Sequence, residues 1–130
     1  MAALSDYMEK LLLDWSMTTG SATRPTAWFL ALYTAAPSDA GGGTEVSGGG
    51  YARQAIAFDA ASTPDGTTSN TAAVEFEATG AAFGTVTHIG IFDADTGGNL
   101  LWHGEMTTSR TIGDGDKLVF AIGDVELTLA

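Results

Sequence analysis

The sequence predicts a mainly β fold: a single antiparallel β-sandwich, jelly-roll-like, with one N-terminal helix. Its 130 residues include 17 glycines and only 16% charged residues, a composition typical of strands joined by tight turns. After residue 20, roughly eight short strand-like segments follow one another with turn signals between them. No helical pattern interrupts them, and no fixed-period repeat indicates a solenoid or a fibrous shaft. This spacing is typical of a β-sandwich.

The helical pattern lies in the first 20 residues. Ser5 suits the N-cap, because its hydroxyl can accept a hydrogen bond from a first-turn N–H. Gly20 ends the pattern. Apolar residues recur along one helical face at Leu4, Met8, Leu11, Leu12 and Trp15. We therefore expect residues 1–20 to form a helix that packs on the β-sandwich of residues 21–130 or docks on a neighbouring subunit.

Alternation of apolar and polar residues marks the predicted strands. Residues 27–33 are apolar on both faces, which is typical of a central strand covered on both sides. Residues 107–112 are polar but β-prone. The other strand-like segments are residues 51–58, 74–78, 86–92, 100–106, 118–122 and 125–129.

A glycine-rich loop follows the first of these strands. Residues 37–50 read PSDAGGGTEVSGGG, with a glycine triplet on either side of Thr44, Glu45 and Val46. We expect no regular element here, and a loop of about 14 residues is long enough to suggest a role. Its glycines favour a chain that is mobile when free and orders on docking.

The charge balance excludes several classes of partner. Five Lys and Arg against 16 Asp and Glu give a net charge of −11, so the basic patch that binds nucleic-acid phosphates is missing. Attachment to an anionic membrane is disfavoured for the same reason. The chain has no cysteine, which removes disulfides and thiolate metal sites. We expect neither a secretory signal nor a membrane span, because no suitable apolar run occurs.

Three residue groups invite a chemical role, but a structural role is favoured for each. If Asp93 pairs with Gly98 across a hairpin, His88 falls opposite His103, where two imidazoles could bind a metal or sense pH. No third ligand is fixed. The segment that begins at Asp93 lacks the later ligands of a calcium loop. The glycine-rich loop lacks the Lys-Ser/Thr ending of a phosphate-binding loop.

No catalytic arrangement is recognisable. No serine lies in a G-x-S-x-G elbow, and the neighbouring acids Glu75 and Glu77 are most simply a solvated strand face. We therefore predict no catalytic, cofactor-binding or metal-binding residue, and a protein that is not an enzyme. Lectin-like sugar binding, with Trp102 and Tyr51 as stacking faces, is a further reading, although packing in a core or interface explains these aromatics better.

Several stretches together resemble a known family. They are WFLALYT at 28–34, GGTEVSGGGYAR at 42–53, GTVTHIGIFD at 84–93, TGGNLLWHG at 96–104 and TTSRTI at 107–112. In this order they resemble small structural proteins of tailed bacteriophages, prophages and gene-transfer-like particles, which are commonly labelled tail fibre proteins. The resemblance implies a virion component made in the host bacterial cytoplasm. It brings no catalytic residues and no cofactor.

The compact chain, without a shaft repeat, favours a capsid decoration (cement) protein or a head spike over a tail fibre. Such a protein is expected to be a homo-oligomer, trimeric or hexameric, that contacts the major capsid protein or other virion proteins. The alternative is a tail fibre or tail-tip component that binds a receptor or glycan. The candidate interface residues are Leu11, Leu12, Trp15, Thr44, Glu45, Val46, Tyr51, Arg53 and Trp102.

Overall fold

The computed structural model describes residues 2–63 and 65–129. Within them the chain forms ten strands and one helix, and every strand pair is antiparallel. The predicted mainly β class with one N-terminal helix is confirmed. The elements are β1 (Ala2–Leu4), α1 (Asp6–Ser16), β2 (Phe29–Ala35), β3 (Thr44–Glu45), β4 (Gln54–Ala55), β5 (Thr67–Ser69), β6 (Val74–Glu77), β7 (Gly84–Phe92), β8 (Leu100–Ile112), β9 (Lys117–Phe120) and β10 (Glu126–Thr128).

The strands form a sandwich-like arrangement around one main core. The main sheet has the order β1-β8-β7-β2-β3, and β4 pairs with β2 on the same side as β3. Two small ladders, β5–β10 and β6–β9, complete the fold. Buried side chains of the main sheet and of both ladders belong to one hydrophobic cluster. Burying this apolar surface is the main favourable contribution to folding.

Strand β2 is central and covered on both faces, as its sequence predicts. Leu30 and Leu32 lie in the main core and are 0% exposed. Ala31 and Tyr33 point to the opposite face, where they pack with Phe92 and other residues in a second, smaller cluster. Side chains alternate between the faces of a strand, so β2 joins the two clusters.

Several predicted boundaries need correction. Only β4 forms within residues 51–58, since the chain there leaves the sheet edge after two paired residues. Residues 100–112 form one continuous strand rather than two segments. Leu4 belongs to β1, which pairs with β8, and is not part of the helical face. Ile122 and Leu129 lie beyond β9 and β10 and are exposed.

Helix α1 begins as predicted and ends early. The Ser5 hydroxyl accepts a hydrogen bond from the Met8 N–H at 3.1 Å, which confirms the N-cap. The helix ends at Ser16 instead of reaching Gly20. The hydroxyls of Ser16 and Thr18 donate to carbonyls one turn back, and such side-chain bonds compete with the backbone ladder. No residue of α1 is buried, and the helix contacts β1 and β8.

The hairpin register that would pair the two histidines directly does not occur. His88 lies opposite Glu105, and His103 lies opposite Gly90, so the two histidines are diagonal neighbours. The hairpin is wider than expected, because the Asp93 carboxylate accepts hydrogen bonds from the Asn99 backbone N–H (2.7 Å) and side-chain amide (3.0 Å). A register irregularity follows between Ile91 and Phe92 of β7.

Among residues 2–63 and 65–129, no helix is long and apolar enough to cross a membrane. The same part of the chain holds no group of three or more His, Cys, Asp and Glu side chains that could bind a metal ion.

The side chain of Asn70 connects the two small ladders, β5–β10 and β6–β9. Its amide donates to the carbonyls of Ala72 (2.8 Å) and Ala121 (3.0 Å), and its oxygen accepts from the Val125 N–H (2.9 Å). Asn70 is 0% exposed. We expect Asn70→Ala to lower the free energy of unfolding by about 2–4 kcal/mol, because buried backbone groups lose their partners. Chemical denaturation measures this change.

The matched control for Asn70 is its exposed neighbour. Thr71→Ala keeps the backbone unchanged at an exposed position, so its effect should stay within about 0.5 kcal/mol. Equal stability of the Asn70→Ala variant and the wild type would show that water replaces the lost hydrogen bonds.

Candidate functional site: the glycine-rich loop and helix α1

The glycine-rich loop of residues 37–50 contains a regular element, contrary to expectation. Thr44 and Glu45 form β3, which pairs with the end of β2. The flanking glycine triplets all have positive φ values, so the chain can reverse on both sides of β3. At Gly43 a Cβ would lie 2.7 Å from the Ala35 carbonyl oxygen, and at Gly49 one would lie 2.6 Å from the Ala81 oxygen. Glycine is therefore required at these two positions, where the loop lies against β2 and against the segment between β6 and β7.

A carboxylate at the centre of the loop holds it in place. The Arg53 guanidinium donates two hydrogen bonds to Glu45, from Nε to Oε2 and from Nη2 to Oε1, both 2.9 Å long. The Tyr51 hydroxyl donates a third to Oε2 at 2.7 Å and accepts one from the Leu32 N–H at 3.0 Å. Fork-shaped pairing of this kind is stronger and more directional than a single contact. The loop is thus fastened to strand β2.

Arg53 also reaches a second loop. Its Nη1 donates to the carbonyls of Ala94 (3.0 Å) and Gly97 (2.8 Å) in the hairpin between β7 and β8. The guanidinium lies 3.6 Å from the centroid of the Phe92 ring, which is a cation–π contact. Only 8% of the Arg53 side chain is exposed. One arginine therefore connects the glycine-rich loop, strand β7 and the hairpin.

These contacts and the burial of the site shift the pKa values of Glu45, Tyr33 and Tyr51. Burial disfavours the ionised form of Glu45, but the hydrogen bonds from Arg53 and Tyr51 outweigh it and lower the pKa of this carboxyl. Burial, together with the negative charge of Glu45, raises the pKa of Tyr33 to about 12. The pKa of Tyr51 is raised by burial and by its hydrogen bond to Glu45. At neutral pH, Glu45 is therefore ionised and both tyrosines keep their protons.

The structure separates the candidate interface residues of the β-domain. The hydrogen bonds described above join Glu45, Tyr51 and Arg53 to one another. Val46 is 5% exposed and Trp102 is 9% exposed, and both belong to the main core. Of this group, only the remaining member, Thr44, is exposed.

Trp102 and Tyr51, the possible stacking faces for a sugar, both make packing contacts with the core. Trp102 lies on the inner face of β8, opposite Ile91, where the core covers it. The Tyr51 ring stacks on Phe76 at a centroid distance of 6.1 Å and meets the edge of Phe83 at 5.8 Å. Both rings therefore take part in tertiary packing, which is the role that the sequence favours for them.

Helix α1 leaves apolar side chains in solvent. Met8 packs partly on the main core, and Leu11 and Leu12 are half-buried. Trp15, on the same helical face, is 74% exposed. Leu13 and Met17, which the predicted face did not include, are 58% and 78% exposed. The apolar face of α1 therefore extends beyond the part of the helix that packs against the β-strands.

The Glu45 network predicts acid sensitivity. The pKa of Glu45 is lowered by folding, so its stabilising effect is complete above the ordinary value of about 4.5 and is lost as the pH falls from there through the folded value. At neutral pH, Glu45→Gln should lower the free energy of unfolding by about 1–3 kcal/mol, because the amide places an N–H group against Arg53. The difference between the two proteins should shrink as the pH falls below about 4.5, which denaturation over a series of pH values from neutral downwards measures.

The control for Glu45 is an exposed carboxylate. Glu75 lies 3.3 Å from Lys117 and its side chain is 53% exposed, so Glu75→Gln should change stability by less than about 1 kcal/mol. An equal effect of the two substitutions at neutral pH would contradict a special role for Glu45.

Comparison with known proteins now gives the family. No curated protein matches the chain. The family model described as "Podophage GP4 fiber I protein gp80" matches residues 3–128. This range contains helix α1, the glycine-rich loop and almost all of the ten strands. The resemblance to tailed-phage structural proteins is confirmed, and with it the location in the virion. The chain belongs to the podophage GP4 fiber I protein gp80 family.

Proposed function

We propose that this chain is a non-enzymatic structural subunit of the tail-fibre apparatus of a podophage. The observation that carries the proposal is the match of a fibre family over residues 3–128. The sequence by itself favours a capsid decoration protein, but the family description supports the fibre alternative.

The use of the titratable residues supports a structural role. Three titratable groups with shifted pKa values form hydrogen bonds to one another and to the backbone. They are Glu45, Tyr51 and Arg53. The Arg53 side chain is largely covered. Their hydrogen-bonding groups hold the loops in place. A structural component of a durable particle requires such stability.

The exposed face of α1 is the surface proposed for assembly. It consists of Leu11, Leu12 and Trp15, and Trp15 projects furthest into solvent. A tryptophan that becomes buried on association contributes strongly to affinity, since it brings a large apolar area. An open apolar face of this kind fits a docked partner better than permanent contact with water.

We propose a second copy of this chain as the partner of α1. The whole chain carries a charge of −11, so most surfaces of two copies repel each other. Residues 10–16 of α1 are an exception, because their two charged side chains, Lys10 and Asp14, form an ion pair with each other. Identical copies can therefore meet there without net repulsion, in a closed symmetric oligomer.

A capsid decoration or head spike role is the second candidate. It is supported by the compact sandwich, which contains no shaft repeat in the described residues. In this case trimers or hexamers would contact the major capsid protein, and many modest contacts would add up over the lattice.

Copy number distinguishes the two roles. We expect a few to a few tens of copies per purified particle, because a fibre apparatus surrounds one tail, and quantitative mass spectrometry against the major capsid protein measures the ratio. A ratio near one, or a simple fraction of the capsid subunits, would contradict the fibre role and establish the decoration role.

Self-association tests the role of the helix. We expect the purified chain to form an oligomer in light scattering coupled to size exclusion, and Trp15→Ala to weaken it by about tenfold or more. The matched control is Ile122→Ala, a 69% exposed apolar residue after β9, which should leave association unchanged. A monomeric wild type, or equal effects of the two substitutions, would contradict docking through α1.

A further inference from the structure

Strand β1 and helix α1 form an N-terminal arm, residues 2–16, that docks on the β-domain as a separate piece. Strand β1 adds to the edge of the main sheet by pairing with β8. The N–H of Ser5, a residue that is 1% exposed, donates to the Leu101 carbonyl at 2.9 Å. The N–H of Asp6 donates to the Asp39 carbonyl, also at 2.9 Å. All these contacts join the arm to the β-domain, so the arm of another copy can make the same ones.

The connector that follows the arm, residues 17–27, is not fastened to the β-domain. In the part of the chain that the structure describes, no hydrogen bond joins the connector to the strands or to their loops. Its residues are exposed or half-buried. The guanidinium of Arg24 lies 5.9 Å from the centroid of the Trp28 ring, at the very end of the connector. Nothing else in the connector holds the arm to its own domain.

The length of the connector permits two destinations for the arm. Strands β8 and β7 lie between β1 and β2 in the main sheet, which places β1 and β2 about 14 Å apart. If the whole length of α1, about 16 Å, is added, the path to be spanned is about 30 Å. An extended connector reaches about 40 Å. The arm can therefore return to its own domain or reach a neighbouring copy.

The exposed apolar side chains of α1 lie at the junction of arm and connector. Leu13, Trp15 and Met17 are 58%, 74% and 78% exposed when the arm is docked on its own domain. If two copies exchange their arms, the two connectors cross from one domain to the other, and these side chains meet the neighbouring copy at the crossing. Burial of this surface favours the exchanged form, because the docking contacts of the arm are otherwise the same in both forms.

We propose that the N-terminal arm is exchanged between copies, so that β1 and α1 of each subunit complete the main sheet of a neighbouring subunit. The receiving site is the edge of β8 together with the turn at Asp39, whose carboxylate lies 2.7 Å from His103 Nε2. This inference rests on the proposed self-association and names the segment that performs it. Neighbouring subunits in a particle are close together, which raises the effective concentration of each arm at the next site.

A disulfide reports which copy supplies the arm, because the natural chain has no cysteine. Ala3 of β1 lies directly opposite His103 of β8, at a spacing that a disulfide can bridge. The variant that combines Ala3→Cys with His103→Cys is isolated as the oligomer, oxidised and analysed on a denaturing, non-reducing gel. We expect most chains to run as covalent dimers or larger species. Disulfides that form within single chains of the oligomer overturn the exchange, although docking through α1 then stands.

The matched control places the two cysteines inside the β-domain. Thr85 and Thr111 lie opposite each other in the β7–β8 ladder, so the variant with Thr85→Cys and Thr111→Cys should form its disulfide within one chain and run as a monomer. Covalent dimers of this control to the same extent would contradict the exchange, since they would show non-specific cross-linking. A wild type that is monomeric in solution overturns the exchange together with the proposed self-association.

A shorter connector tests the exchange without any change to the docking site. Deletion of residues 20–23 lowers the reach of the connector to about 25 Å, which disfavours the return of the arm to its own domain. We expect the apparent Kd of self-association, measured by light scattering over a dilution series, to fall by about tenfold or more. An unchanged Kd overturns the exchange, because association through the surface of α1 alone does not depend on the length of the connector.

Discussion

The fork-shaped pairing of Arg53 with Glu45 is the interaction on which the rest of this structure depends. It fastens the glycine-rich loop to β2 and, through two carbonyls, the hairpin to the same arginine. Phe92, which lies beneath the guanidinium, also lines a groove on the Tyr33 side of the main sheet. The largely buried position of Arg53 strengthens each of these bonds, since water competes poorly there. The contacts of Arg53 therefore connect the glycine-rich loop, the hairpin and Phe92 of β7.

The fold explains the high glycine content of this family member. Gly43 and Gly49 let the loop approach neighbouring backbone at distances that no Cβ allows. Glu45 ties the loop to the rest of the domain. The apolar surface that remains open lies on α1, at Trp15 and its neighbours. The surface proposed for assembly and the residues of the Arg53 network thus lie in different parts of the chain.

Two surfaces with different chemistry share one helix. The start of α1 contributes Asp6 and Tyr7 to the groove, while its second half presents Trp15. Tyr7 and Trp15 are eight residues apart, which is about 12 Å along a helix. Contacts between copies at the second half therefore need not cover the groove.

Local patterns in the sequence determined the mainly β class, the central strand β2, the half-buried strand β6 and the N-cap at Ser5, because each depends on near neighbours along the chain. Tertiary structure alone decided the hairpin register, where one captured carboxylate shifts the pairing. It also decided the burial of Trp102 and the joining of Glu45 to Arg53. The groove on the Tyr33 side of the main sheet is lined by residues from 5 to 100, and the physical reason is general: side chains that meet only after chain reversal leave no periodic signal.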